Sequence, residues 1–179
     1  MSRSCFAVAL ATALVLLCPA LPRAENAVRI ATPPEWRQAD DMHALIAGLE
    51  NWLDIRSDWP RRETPPSVRF VSQWQATARQ GATAGFQRGR LRGLYDPDQS
   101  EILLVRPWDQ RNAKDVSVLL HELVHHRQVP HHWYCPAAQE LPAYRLQDSW
   151  LAAQGLAIEI NWMAVVLEAG CTPRDIHPE

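Results

Sequence analysis

The chain has 179 residues, 47% hydrophobic and 21% charged, a balance that suits one globular domain and excludes a disordered tail, a collagenous repeat or a coiled coil. Its formal net charge is -2, with neither sign gathered into long blocks, so the charge pattern carries no nucleic-acid footprint. No spacing of roughly 20 to 50 residues recurs, which excludes a solenoid, and most of the eight Trp are expected in the core or lining a cleft.

Near its start the chain carries Arg3, a predominantly apolar run from Phe6 to Cys18, and the breaker-rich stretch Pro19-Ala20-Leu21-Pro22-Arg23-Ala24. The run is too short to span a bilayer as a helix and has the pattern of a secretory signal. Cleavage after Ala24 or Ala20 is expected, leaving a single domain over 25–179 that is periplasmic or secreted, with no stable membrane span. Cys5 and Cys18 leave with the signal, so Cys135 and Cys171 remain as an even pair. In an exported protein such a pair reads as a disulfide. It would close a loop of about 36 residues and contribute roughly 4 kcal/mol by restricting the unfolded chain.

Met42, Leu45, Ile46, Leu49, Trp52 and Leu53 recur at helical spacing and predict a helix over 40–55. Pro60 to Pro66 breaks the chain, and Ser67-Val68-Arg69-Phe70-Val71 alternates like a half-buried strand. Residues 81–93 read as irregular, with Arg88, Arg90 and Arg92 on a solvated face. Leu94-Tyr95, a turn over 96–100, and Ile102-Leu103-Leu104-Val105 predict a hairpin whose second strand is the more buried. Asn112 starts a second helix that Pro130 ends, with Asp115 placed as in a capping box and Val116, Leu119, Leu120 and Leu123 as its core stripe. A third helix is expected over 139–154, ended by Gly155, and a fourth, apolar one over 156–167. Strands first and helices later indicate an α+β domain.

The second helix carries His121-Glu122-Leu123-Val124-His125. Four residues separate the two histidines by about 40° around a helix, so both imidazoles reach one ion from the same side. Glu122 is offset enough to address a water there without being a ligand. A catalytic zinc site needs a third protein ligand. Glu140 opens the next helix, with enough chain after His125 to turn back across a cleft, and Tyr144 and Gln147 share its helical face. His131 is the alternative, at the spacing of the metzincin pattern H-E-x-x-H-x-x-G-x-x-H, although Gln128 stands at the glycine position. Met163 reads as core.

With Glu140 as third ligand the sequence resembles the gluzincin type of zinc metallopeptidase. The longer pattern resembles a family of small exported bacterial zincin-like proteins of unassigned function, through Gly93-Leu94-Tyr95-Asp96, His121-Glu122-Leu123-Val124-His125-His126-Arg127-Gln128, Cys135-Pro136 and Glu140-Leu141-Pro142-Ala143-Tyr144-Arg145-Leu146-Gln147. The resemblance covers about residues 91–155. It implies a zincin-like fold, in which a small antiparallel or mixed sheet with the hairpin packs on the active-site helix and the glutamate-bearing helix follows. It also implies Zn2+ on His121, His125 and Glu140, Glu122 as general base, and a peptide or protein substrate lying along one arm of the hairpin. Tyr144 leads His132 and Tyr134 as donor to the developing oxyanion. Tyr144 also stands where thermolysin-like enzymes place an aspartate, so Gln147 or Asp148 would have to orient a ligand histidine. His126 reads as a surface group or a support to the ligands, and His132, Trp133 and Tyr134 as a loop beside the cleft. The rival readings are a non-catalytic zinc-binding protein of the same fold and a metal-free interaction domain.

Overall fold

The apolar run Ile102–Val105 sets the architecture. In the computed structural model, which describes residues 35–80 and 91–171, it lies in the central strand of a three-stranded sheet. The order is β1 (Ser67–Val71), β3 (Glu101–Val105), β2 (Gly93–Asp96). β3 runs parallel to β1 and antiparallel to β2, with Ile102 opposite both Val68 and Tyr95. A strand covered on both faces needs apolar residues at consecutive positions. Ile102 and Leu104 join the main core, whereas Leu103 and Val105 pack with Val71 and Ala76 on the other face. The fold is therefore α+β with a mixed sheet, and the hairpin has the buried second strand expected of it. β1 is an edge strand, which leaves Phe70 37% exposed and breaks the expected alternation.

Ala76 belongs to α2 (Gln73–Gln80), a helix the apolar periodicity did not reveal. The signal for it was a capping box: Ser72 Oγ accepts from the Gln75 N–H, and Gln75 Oε1 accepts from the Ser72 N–H. α1 (Met42–Asp54) matches its periodicity, capped by Asp41 and burying Leu45, Leu49 and Leu53.

α3 (Ala113–Gln128) is capped by Asn112, whose side chain accepts from the Lys114 N–H. Asp115 does not complete the box; it accepts from the Asp109 N–H and pairs with Arg92, pinning the preceding loop instead. Val116, Leu119, Leu120 and Leu123 are fully buried, but so is nearly every other side of the helix. α3 is thus the central helix of the domain, packed by the sheet, α1 and α4 (Glu140–Ala152).

α4 follows a 3-10 turn, Pro136–Gln139, and starts at Glu140. Pro142 falls in its first turn, where a missing N–H costs nothing. Gly155 takes φ +72°, and the bonds from Gly155 N–H to Ala152 O and Leu156 N–H to Leu151 O form a Schellman closure. The apolar stretch beyond does not become helical at 156. Asp148 accepts from the Ile158 N–H, and Asn161 caps α5 (Trp162–Ala169) by accepting from Ala164. Met163 is 69% exposed, so its placement in the core is incorrect: α5 lies against α4 and the 3-10 turn and buries no residue fully.

Cys135 and Cys171 form the expected disulfide, tying the start of the 3-10 turn to the end of α5. Trp36 and Trp150 are buried in contact, and Trp52, Trp59, Trp108, Trp133 and Trp162 are partly buried; Trp74, at 77% exposure, departs from the expectation. No helix among the described residues is long and apolar enough to cross a membrane. The expected signal at 1–24 and the segment 81–90 with Arg88 and Arg90 lie outside the described residues.

Candidate metal centre

One turn of α3 separates His121 from His125, and their Nε2 atoms approach to 3.0 Å. The first residue of α4 meets them: Glu140 Oε2 lies 3.3 Å from His121 Nε2, and Glu140 Oε1 lies 3.5 Å from His125 Nε2. One ligand atom from each residue falls within 4.8 Å of the others, so the group can hold a metal ion. Glu140 Oε2 is buried and makes no hydrogen bond. A buried carboxylate oxygen without a hydrogen bond is costly, and a cation shared with two imidazoles would offset that cost. The donor set of two nitrogens and a carboxylate oxygen suits zinc.

The electrostatics agree with a site built around charge. Burial opposes ionisation of Glu140, but His121 and His125 outweigh it and hold the carboxyl well below its usual range. Burial also opposes a charge on His125, yet Glu140 overcomes it and raises the imidazole to about 9.

Glu122 is buried beside this group, and burial raises its pKa above the ordinary value. The β2 edge holds it. The Val105 N–H bonds to Arg92 O, so with Gly93 opposite Leu104 the backbone groups of Gly93 and Tyr95 fall on the outer edge of β2. The Tyr95 backbone, facing Glu122 there, favours the charged carboxylate and opposes a small part of that rise. Gly93 leaves room for this approach: a Cβ on it would sit 2.6 Å from Glu122 Oε1 and 2.7 Å from Val118 Cγ1.

Two glutamines lie behind the histidines. Gln147 Oε1 is 3.1 Å from His121 Nδ1, and Gln128 Oε1 is 2.9 Å from His125 Nδ1. Gln147 therefore takes the position left open by Tyr144, while Asp148 caps the loop after α4. Gln128, read only as a departure from the metzincin glycine, is fully buried in this second position. Its signal in the sequence was its place three residues after His125, on the same helical face.

His121, His125, Glu140, Glu122 and both glutamines line one cleft of about 1170 Å³. Tyr144 enters it with its ring 4.5 Å from that of His121, and burial, then Glu140, Glu122 and Glu168, raise its hydroxyl above the usual range. His131 also lines the cleft but is exposed and outside the three-residue group. His132 and Tyr134 pack on each other as exposed side chains away from the cleft lining, whereas Trp133 lines it and donates to Gln128 O. Arg92 lines the cleft as well, so it is not simply part of a solvated face. His126 is neither a surface group nor a support to the metal ligands. It is 1% exposed, with Nε2–H donating to Thr64 O and Nδ1 beside Tyr95 Oη and Arg62, and burial with the Arg62 charge lowers its pKa to about 4.

No curated protein and no solved structure matches the chain. Residues 38–179, which include the whole of this centre, match the family described as a domain of unknown function, DUF6647, and the chain belongs to that family.

Proposed function

We propose that the protein is an exported, zinc-dependent hydrolase of zincin-like fold that cleaves peptide bonds. The observation that carries this reading is the meeting of His121, His125 and Glu140, with Glu140 Oε2 buried and unbonded, beside a second buried carboxylate that is not part of the group. A purely structural metal site has no need of Glu122 held against the β2 edge. The disulfide fits an oxidising compartment.

Zinc, when bound, supplies the Lewis acidity that acidifies water and polarises a carbonyl. Glu122 takes a proton at its carboxylate and returns it to the leaving amine. The hydroxyl of Tyr144, whose ring packs against that of His121, donates to oxygen as it gains negative charge. The outer edge of β2 offers backbone groups to an extended peptide, and the cleft walls, Val118, Trp133, Ile158, Val165 and Leu167 among them, receive its side chains.

The test pairs metal analysis with a peptide library. The wild-type chain, purified without chelator and supplied with zinc, should hold about one zinc per chain and cleave library peptides, whereas Glu122→Gln should hold the same zinc and cleave none. Well-metallated wild-type protein without cleavage would indicate a zinc-binding protein and overturn the hydrolase reading. Absence of stoichiometric zinc would leave an interaction domain.

A further inference from the structure

We infer that Gln128 and Gln147 are positioning residues that fix both ligand histidines in the tautomer able to accept a cation, and that they do so through differently anchored amides. The inference rests on the metal-centre reading and goes beyond it. An amide orients a neighbour only if its own two ends are distinguished. Gln128 Nε2 donates to Gln139 O at 3.2 Å. A backbone carbonyl accepts and never donates, so the amide nitrogen of Gln128 must face it and Oε1 must face His125 Nδ1. The His125 proton therefore resides on Nδ1, and Nε2 offers its lone pair to the site once the ring is neutral.

Gln147 reaches the same result by another route. Ser117 Oγ donates to Lys114 O at 2.7 Å and accepts from Gln147 Nε2 at 3.0 Å. That turns Gln147 Oε1 toward His121 Nδ1, 3.1 Å away. All three side chains are buried, so water does not compete for these bonds. Both Nε2 atoms are thus turned to the site from different anchors, one between the end of α3 and the 3-10 turn before α4, the other across the α3–α4 contact. Groups of this kind are worth about 10–100-fold in metal affinity.

The anchors differ in one chemical respect. The Ser117 hydroxyl can rotate and donate, whereas the Gln139 carbonyl cannot. A glutamate at 147 can accept from both His121 and a reversed Ser117, while a glutamate at 128 places an acceptor against an acceptor. Zinc affinity, measured by competition with a chromophoric chelator, should fall about 10–100-fold in Gln128→Leu and in Gln147→Leu. Gln147→Glu should bind within a few-fold of wild type, and Gln128→Glu should remain as weak as its Leu variant. Thermal midpoints of the metal-free variants identify any loss due to unfolding, and a purely packing role predicts that Leu and Glu at 147 bind zinc alike.

His121→Ala serves as the reference for a destroyed site. If wild type binds zinc, His121→Ala does not, and both Leu variants bind as wild type does, the glutamine inference fails while the metal centre stands. Equal recovery by Gln128→Glu and Gln147→Glu overturns the anchoring argument. If wild type binds no more zinc than His121→Ala, both readings fall together.

Discussion

α3 buries polar side chains on two of its faces, and the two differ in how completely the protein itself satisfies them. On the face toward α1, Arg127 is fully buried and bonds to Glu50 through its side chain and backbone, to Asp54, and to Trp59 O. His126, beside it, has partners on both ring nitrogens. On the face toward α4, His121 and His125 meet glutamines at Nδ1, while their Nε2 atoms crowd against each other and against Glu140, whose Oε2 makes no hydrogen bond. The first face is a closed network that holds helices together. The second is a group that can hold a cation. Consecutive residues, His125, His126 and Arg127, are divided between them.

The largest expected effect breaks the closed face. Arg127→Met leaves buried Glu50 with only the more distant, half-exposed Arg61 guanidinium at 3.5 Å and should destabilise the fold by about 3–5 kcal/mol in urea unfolding. The double variant Glu50→Leu/Arg127→Met should recover most of that loss, because it removes both charges together. Glu140→Gln, on the open face, should cost the metal-free protein far less. Equal losses from Arg127→Met and Glu140→Gln would erase the distinction between the faces.

Metal addition sharpens the same contrast. Zinc at about 100 times its dissociation constant should stabilise wild type by ~2.7 kcal/mol, read as a higher thermal midpoint that chelator reverses. Glu140→Ala should show no such gain, and Arg127→Met should keep it. Next in size is Gly93→Ala, whose added carbon displaces Glu122 or Val118 at a cost of about 1–3 kcal/mol. Its zinc content should be unchanged while peptide hydrolysis drops, since the proposed ligands are untouched and the proposed base, Glu122, is moved.

The smallest effect belongs to neither face. The Arg69 guanidinium hydrogen-bonds Glu101 at 2.9 and 2.6 Å across β1 and β3, and this contact, against a smaller opposing effect of burial, lowers the carboxyl below its usual range. A depressed carboxyl contributes stability above its unfolded pKa and loses it as pH falls through the lower folded value. Wild type should therefore lose slightly more stability than Glu101→Gln as pH is lowered below about 4.5. Unfolding midpoints at several pH values check this.

Particular residues show where the sequence was legible. The stripe of α1, the run Ile102–Val105 and the Asn112 cap were readable because each is local: periodicity 3.6, continuous apolarity, a polar side chain before a helix. α2 was missed because its apolar content is low, although Ser72 and Gln75 announced its start. The start of α5 was misplaced because apolar composition does not show where backbone bonds go; Asn161 and Asp148 decide that. His126 was misjudged because its partners, Thr64, Tyr95 and Arg62, come from distant chain.

For this protein the sequence by itself determined that His121 and His125 share a helical face with Glu122 beside them, since four residues make one turn, and that Cys135 and Cys171 were available to pair. Only the tertiary structure decided that Glu140 rather than His131 meets the histidines, that Gln147, 26 residues from His121, stands behind it, and that α3 has two unlike polar faces. The reason is range: a helix fixes directions over a turn or two, but which side chain from another segment arrives there depends on how α3 packs against α4, α1 and the sheet.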